Sequence, residues 1–338
     1  MIPIFSIIVP FYNTEAMFYE RTFNCLKGLP DELAEILVID DGSKAESVVG
    51  LELYLSANLP EATVFHKVNG GQNSARQYGV DRAVGRYVLF LDSDDYLDVD
   101  ALIELADYLE VNAPAVVAFD YDVVDPRGEL LRSYEPWARG FNRLNLQRLS
   151  LNSDSLWRQC YCLQRLKEAP FNLVQGVRIG EDLSSAMSLN LVLGEGVSFG
   201  RVLYHYVVRP SSIIQNSPKD VLFDIFYSFD EVIRRCGPDY AGCLEEIEWM
   251  AILHCVYWGG IRIAQADGFD LDMQSRVFEW IDKAFPDWRS NRYLYSEGIT
   301  KTLRFRLIVH GHWGTYRFLY KAKGFVKAMH RGKSSRNG

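Results

Sequence analysis

Tyr87-Val88-Leu89-Phe90-Leu91 runs without a charged residue straight into Asp92-Ser93-Asp94-Asp95. A near-continuous apolar run of this length reads as a strand buried on both faces, as in a parallel sheet. Phe5 to Val9, Glu35 to Ile39, Thr63 to His66 and Val116 to Phe119 repeat the pattern. Between them lie amphipathic stretches with helix signals. Ser43 and Glu46 have the spacing of a capping box. Gly85 can stop a helix that begins near Ser74, and Pro114 follows one running from about Asp100. Strand–helix alternation at this spacing predicts a doubly wound α/β layer. Ligands in such sheets sit beyond the carboxyl ends of the strands. The residues found there are Pro10-Phe11-Tyr12-Asn13, Asp40-Asp41-Gly42-Ser43 and Asp92-Ser93-Asp94-Asp95. Parallel strands would bring all three clusters to one rim.

Three carboxylates within four positions repel one another, so ending a buried strand with them is costly unless a cation neutralises them. Mg²⁺ and similar hard ions take one or two carboxylates together with substrate phosphates. The plainer reading is helix capping by Asp95 or Asp98, with the other carboxylates solvated. Asp40 and Asp41 either shape a βα turn capped by Ser43 or accept hydrogen bonds from a ribose or base. Tyr12 either stacks on a base or packs.

The 338 residues hold 36 Lys and Arg against 44 Asp and Glu, a net charge of −8 that argues against a general nucleic-acid binder. With 48% hydrophobic and 24% charged residues, the composition is that of a folded globular chain. The average conceals an asymmetry: the first 297 residues carry 26 basic against 44 acidic residues, −18, and the last 41 carry +10. Six cysteines without a CxxC pair predict neither a disulfide scaffold nor a zinc site, and reduced thiols are the expectation. No signal peptide or membrane-spanning run is evident, which predicts a cytoplasmic protein, soluble or attached to a membrane surface.

Four motifs in order resemble glycosyltransferase family 2: Val9 to Asn13, Val38 to Ser43, Asn69-Gly70-Gly71-Gln72-Asn73-Ser74-Ala75-Arg76, and Gly85 to Asp95. The resemblance covers about residues 3 to 215. It implies an inverting enzyme of GT-A fold: a mainly parallel, doubly wound sheet flanked by helices, here with a C-terminal helical extension. The expected division is a catalytic domain over 1–215, a helical subdomain over 216–300 and a basic amphipathic tail over 301–338. The implied donor is a nucleotide sugar, UDP-linked in many relatives, and the implied acceptor a saccharide or lipid-linked saccharide in cell-surface polysaccharide synthesis. Pro10 and Tyr12 would line the base pocket, with Asp41 bonding the base. Asp92 would lie by the ribose or donor sugar beside Ser93, and Asp94 would hold Mn²⁺ or Mg²⁺ on the diphosphate. Arg76 would orient the donor, or else form an ion pair that steadies its helix. The family's Glu-Asp pair matches Glu181-Asp182, with Asp182 as general base. Their place in a first helical turn is also favoured by the helix dipole alone, and dipole and metal together would lower the carboxylate's pKa. Trp157 would stack on an acceptor sugar or pack in the core. Relatives carry an arginine where Val207 stands, so His205 or Arg209 would neutralise the leaving diphosphate.

Two other classes remain. A sugar nucleotidyltransferase would show a Gly-rich, Arg-containing loop after the first strand, and neither that nor a Walker A or GxGxxG motif is present. A catalytically idle sugar-nucleotide-binding or scaffold protein of the same fold is opposed by the intact Asp92, Asp94 and Asp182.

Beyond Ser217 the pattern turns helical, with Val221 to Arg235, Leu244 to Ala266 and Val277 to Phe285 as predicted helices. Gly259-Gly260 would interrupt the second, and His254 reads as a core residue. In the tail, Arg317, Lys321, Lys327 and Arg331 recur at near-helical spacing among Trp313, Tyr316, Phe318, Leu319, Tyr320 and Phe325. Such a segment suits an anionic membrane surface. The alternatives are a solvated helix or one docked on the chain's own acidic part. His310 and His312 lack carboxylate neighbours that would suggest a metal site.

Overall fold

The apolar runs fold as strands, and their register aligns their carboxyl ends. The structure, a computed structural model, describes residues 2–152, 154–170, 172–209, 223–236, 242–266, 269, 271–296 and 298–334. β1 (Phe5–Phe11), α1 (Ala16–Leu26), β2 (Ala34–Asp40), α2 (Ala45–Asn58), β3 (Thr63–His66), α3 (Gln72–Arg82) and β4 (Tyr87–Phe90) alternate as expected. There follow β5 (Tyr96–Leu97), α4 (Val99–Val111), β6 (Val116–Val124), β7 (Leu130–Tyr134), β8 (Gly140–Leu144), α5 (Leu146–Ser150), β9 (Gln159–Cys162), α6 (Leu163–Glu168), α7 (Glu181–Leu193) and β10 (Gly196–Val207).

The sheet order is β3-β2-β1-β4-β9-β6-β10-β5, with β7 on β6 and β8 on β10. β3, β2, β1 and β4 are parallel neighbours, with Phe11 opposite Asp40 and Ile8 opposite Phe90. Asp41 N–H then donates to Phe11 O, and Leu91 N–H to Ile8 O, so the three rim clusters leave the sheet together. Beyond β4 the sheet is mixed. β9 runs antiparallel between β4 and β6, while β6 and β10 are parallel. β9 is only four residues long and β7 is exposed throughout, so neither carries a strong apolar signal.

Alternation along β1 explains its continuous burial. Phe5, Ile7, Val9 and Phe11 enter one core with Phe23, Leu51 and Leu105 from α1, α2 and α4. Ile8 enters the opposite core with Ala75, Val80, Leu166 and Leu189 from α3, α6 and α7. Each large apolar side chain so enclosed contributes about 1.5–3 kcal/mol. β3, at the sheet edge, departs from the expectation: it is only half-covered, with Thr63 and His66 exposed. The predicted capping box is also not formed. Lys44 is the N-cap of α2 without a side-chain cap bond, and the Ser43 hydroxyl accepts from Asn13 N–H instead. Asp98 does cap α4, accepting from Ala101 N–H at 2.7 Å.

α3 lies unusually close to β1. A Cβ at Gly79 would come within 2.5 Å of Ile8 Cγ2. Gly79→Ala is therefore expected to lower stability by about 1–3 kcal/mol, read as a lower urea midpoint at unchanged slope. An unchanged midpoint would contradict this account of the packing.

The chain divides into two compact units, Met1–Asn216 with Glu231–Tyr240, and Ser217–Asp230 with Ala241–Gly338. α8 (Asp224–Cys236) contributes to both. The second unit holds α9 (Leu244–Ala251), a π-helical stretch (Ile252–Trp258), α10 (Gly259–Gln265), α11 (Leu271–Ala284), α12 (Leu303–Val309) and α13 (Trp313–Ser334). Gly259-Gly260 do not interrupt the helix as expected: α10 runs through both, and the irregularity is the π-stretch before them. Gly260 serves close packing, since a Cβ there would lie 2.7 Å from Trp313 Cζ2. α11 starts earlier than predicted because Met273 joins Val277 and Ile281 on its buried face. Residues 210–215, the end of the expected catalytic domain, and Val221 lie outside the described residues, as do the side chains of Phe325, Lys327 and Arg331.

Part of the tail packs inward. Trp313 is fully buried and donates from Nε1 to Ile308 O at 2.7 Å, and Tyr316 accepts from Gln265 Nε2 at 2.7 Å. Arg317 donates to the carbonyls of Ala264 and Ala266, both at 2.6 Å, at the end of α10. Phe318, Leu319 and Tyr320 stay exposed beside the exposed Lys321 and Lys323. No helix among the described residues is long and apolar enough to cross a membrane.

Candidate active site

The rim is organised around Arg76, one turn into α3 and fully buried. Its Nη2 donates to Asp92 Oδ1 at 2.6 Å, while Nη1 donates to Asn73 Oδ1 at 2.9 Å and also to Asp182 Oδ1. One guanidinium thus joins the end of β4 to the first turn of α7. Asn73 reinforces the joint: its Nδ2 donates to Val174 O, Glu181 O and Ser185 Oγ at 2.9–3.0 Å. Gln72 Nε2 adds a second donor to Asp92 Oδ1 at 2.8 Å. Burial alone would lower the Arg76 pKa, but Asp182 and Asp92 outweigh it and raise it.

The paired carboxylates of α7 are both shifted upward. Burial, with Asp182 adding to it and Arg76 opposing, pushes Glu181 up to about 8. Asp182 is raised by burial and by Asp92, again against Arg76. The first-turn position and a nearby cation led to the opposite expectation. Enclosure decides the sign, because desolvation penalises the charged form more than one shared guanidinium favours it.

The other two acidic residues after Asp92 take different partners. Asp94 Oδ2 pairs with Arg209 Nε at 2.5 Å, joining the residue expected to bind metal to one expected to meet diphosphate. Asp95 is buried: Oδ1 accepts from Val207 N–H and Oδ2 from Tyr204 O–H, both at 2.7 Å. Tyr204 oxygen also accepts from Asp92 N–H at 3.1 Å. Asp95 therefore binds the acidic turn to β10. Ser93, also buried, shares a 2.6 Å hydrogen bond with Thr14.

At the ends of β1 and β2, Asp41 is enclosed by the segment after β3. It accepts from Lys67 Nζ at 2.5 Å and Gly71 N–H at 2.8 Å, and Gly70 N–H donates to both its oxygens. Its observed part is to shape the 67–71 loop. Pro10 is buried within β1, opposite Ile39. Tyr12 is 56% exposed, presented by a turn that Asn13 ties to Ser43 and Lys44.

Trp157 and His205 are engaged by protein neighbours. Trp157 is 8% exposed and packed as a core residue, stacked with Tyr204 and Tyr206 and edge-on to Tyr121. His205 alternates to the face of β10 opposite Tyr204 and Tyr206. There it stacks on Tyr96 at 4.5 Å and lies 3.8 Å from Asp122. Burial lowers its pKa against the pull of Asp122, which favours a neutral imidazole unsuited to charge neutralisation. Asn73, Gln72, Lys67, Asp95 and Tyr204 were not among the expected site residues. Gln72 and Asn73 stood inside a quoted motif, but nothing in a single sequence marks their long-range partners.

The model of the family described as Glycosyl transferase family 2 matches residues 6–165. An uncharacterized glycosyltransferase of Haemophilus influenzae is 29% identical over 130 residues, 38% of this chain and 52% of that one. Uncharacterized glycosyltransferase EpsJ of Bacillus subtilis is 27% identical over 225 residues, 64% of each chain. The matches thus span less than two thirds of these relatives. Poly(ribitol-phosphate) beta-N-acetylglucosaminyltransferase TarS of Staphylococcus aureus is 30% identical over 125 residues, 37% of this chain and 22% of TarS. The crystal structure of TarS 1–349 in complex with UDP-GlcNAc superposes with a TM-score of 0.57 at 18% identity, covering 89% of this chain and 78% of that one. Residues 6–165 thus match the glycosyl transferase family 2 model, and the sheet shares with TarS the GT-A fold that the motifs implied.

Proposed function

We propose that the protein is an inverting glycosyltransferase that moves a sugar from a nucleotide donor, best a UDP-sugar, to a saccharide or lipid-linked saccharide. The observation that carries this reading is the Asp92–Arg76–Asp182 bridge, centred on a fully buried guanidinium, at the rim where β1, β2 and β4 end. It holds a carboxylate suited to proton abstraction beside one suited to the donor. The family-model match over residues 6–165 and the UDP-GlcNAc complex of TarS support the donor class. The name of TarS, a poly(ribitol-phosphate) beta-N-acetylglucosaminyltransferase, supports a role in cell-surface polymer synthesis.

In this reading, Tyr12, Pro10 and the Asp41-shaped loop face the nucleoside, while Asp92 and Ser93 lie by the ribose or donor sugar. Asp182 takes the proton from the acceptor hydroxyl as that oxygen attacks the face opposite the leaving diphosphate, a single displacement that inverts the anomeric carbon. Glu181 beside it stays protonated near neutral pH, so the two carboxyls divide proton-holding and proton-accepting roles. Arg209, rather than His205, is the cation available to the diphosphate.

Asp94 fits a hard divalent ion, Mn²⁺ or Mg²⁺. Burial raises its carboxyl to about 6 against the pull of Arg209, with Asp92 adding to the rise, so its charge is under-compensated. Among the described residues no three carboxylates, imidazoles or thiols group to enclose an ion, so further oxygens would come from the diphosphate. Such an ion, when bound, supplies Lewis-acid stabilisation of the departing diphosphate. Chelator is expected to abolish release of UDP from a donor–acceptor pair, and Mn²⁺ or Mg²⁺ to restore it. Full turnover in chelator would exclude the metal role. The exposed Phe318, Leu319 and Tyr320 with Lys321 and Lys323 suit peripheral attachment to an anionic cytoplasmic membrane face.

A further inference from the structure

The second unit contains a cavity of about 800 Å³ that no part of the glycosyl-transfer reading uses. It is bounded by α11, the turns holding Trp288, Arg289 and Leu294 to Ser296, the turn at Thr300 and Lys301, α12, and the His310–His312 turn. Its floor is apolar: Trp288, Phe305 and Val309 line it and are almost completely buried. The charged residues among its described lining are all basic. Arg289, Lys301 and Arg306 contribute to the wall together with His310 and His312, and no Asp or Glu is among the described lining residues.

Like charges gathered around a concave surface focus a positive potential inward, whereas solubilising charges on a convex helix spread theirs. Two of the cations are set up differently. Arg289 is preorganised, donating from Nη1 to Asp282 Oδ1 at 2.6 Å with its guanidinium 4.4 Å from the Trp288 ring centre. Arg306 is exposed and has no ion-pair partner among the described residues. Guanidinium and ammonium donors match phosphate oxygens in charge and geometry. The volume lies within the range of small-molecule sites, about 300–1,000 Å³, and exceeds the needs of an inorganic ion. The aromatic floor gives an attached carbon skeleton a surface to cover.

We propose that this cavity binds a phosphate ester, with Arg289, Lys301 and Arg306 on the phosphate and the Trp288–Phe305 floor against its organic part. The ester is either a free polyol phosphate or the headgroup of an anionic lipid. The proposal is independent of the carboxylate rim, so it stands or falls separately from glycosyl transfer.

The test uses the full chain in calorimetric titrations at fixed ionic strength. The probes are glycerol 3-phosphate and phosphatidylglycerol vesicles, with phosphatidylcholine vesicles as reference. Arg306→Glu is compared with Lys283→Glu, an equal charge change at an exposed α11 residue outside the cavity lining. Lys301→Glu serves as a second cavity variant should the first fail to fold. Saturable binding of glycerol 3-phosphate that weakens about tenfold or more in Arg306→Glu but not in Lys283→Glu supports a free ester as ligand. The same pattern with phosphatidylglycerol vesicles alone supports the lipid headgroup. Absence of binding to both probes, or equal weakening in Lys283→Glu, overturns the proposal.

Discussion

Asp182→Asn is expected to reduce sugar transfer by about 10³-fold while UDP-sugar affinity changes by no more than a few fold. The amide keeps an acceptor oxygen for Arg76 Nη1, so the link between α3 and α7 survives and only the proton-accepting capacity is lost. The pH profile gives a sharper readout than the rate alone. Burial and Asp92 raise the Asp182 carboxyl, and the base works only when ionised. Wild-type transfer should therefore rise with pH along a limb lying above the ordinary carboxylate range, and that limb should vanish in the Asn variant. Substantial turnover, or an unchanged acid limb, would remove Asp182 from the base role.

Arg76→Met should be the most destabilising substitution at the rim. It leaves Asp92 and Asp182 without their shared cation and removes the donor to Asn73, and a buried pair broken from one side costs about 3–5 kcal/mol. The expected result is a lower urea midpoint at unchanged slope, together with loss of transfer. The pH dependence has a definite sign. Arg76 holds Glu181 and Asp182 down, so its removal raises both carboxyls further above their unfolded values. Groups raised in this way favour the folded state when protonated, and that contribution fades as pH climbs from about 4 through the raised folded values. The deficit of Arg76→Met should thus be smallest in acid and largest above pH 8. Adding Asp182→Asn should return part of the loss, because the two residues are coupled. A variant as stable as the wild type at neutral pH would show that the bridge carries no stability.

The legible part of this fold lies in its first ninety-five residues. β1, β2 and β4 are buried on both faces, so their runs stand out, and the acidic and aromatic residues that follow must share a rim. The illegible part depends on tertiary contacts. β9 enters the sheet through four residues whose pairing with β4 and β6 no local pattern declares. Ser43 has capping spacing but serves Asn13, because the β1 turn comes within reach only after folding. Asp41 stood out as an acid at a strand end, yet its oxygens meet Lys67, Gly70 and Gly71, which a one-dimensional reading places in another loop. Glu181 and Asp182 were found through the family motif, but the upward direction of their shifts depended on enclosure. The tail shows the same limit: Trp313 and Phe318 look alike in sequence, and only packing against Gly260 turns the first inward.

The anchoring of β10 by Asp95 bears on how quickly the rim can change partners. Val207 N–H is held by Asp95 and Val208 N–H by Val124 O at 2.9 Å, so the backbone is secured up to the residue before Arg209. The reach of Arg209 to Asp94 is then a matter of its own side-chain torsions. A cation arriving at Asp94 can displace that guanidinium without breaking a ladder bond. Rotamer changes of partly exposed side chains occur in picoseconds to nanoseconds, against microseconds or longer for strand or domain rearrangements. On this basis a change of partner by Arg209 needs no strand rearrangement, and motions on the slower timescale must be sought elsewhere in the molecule.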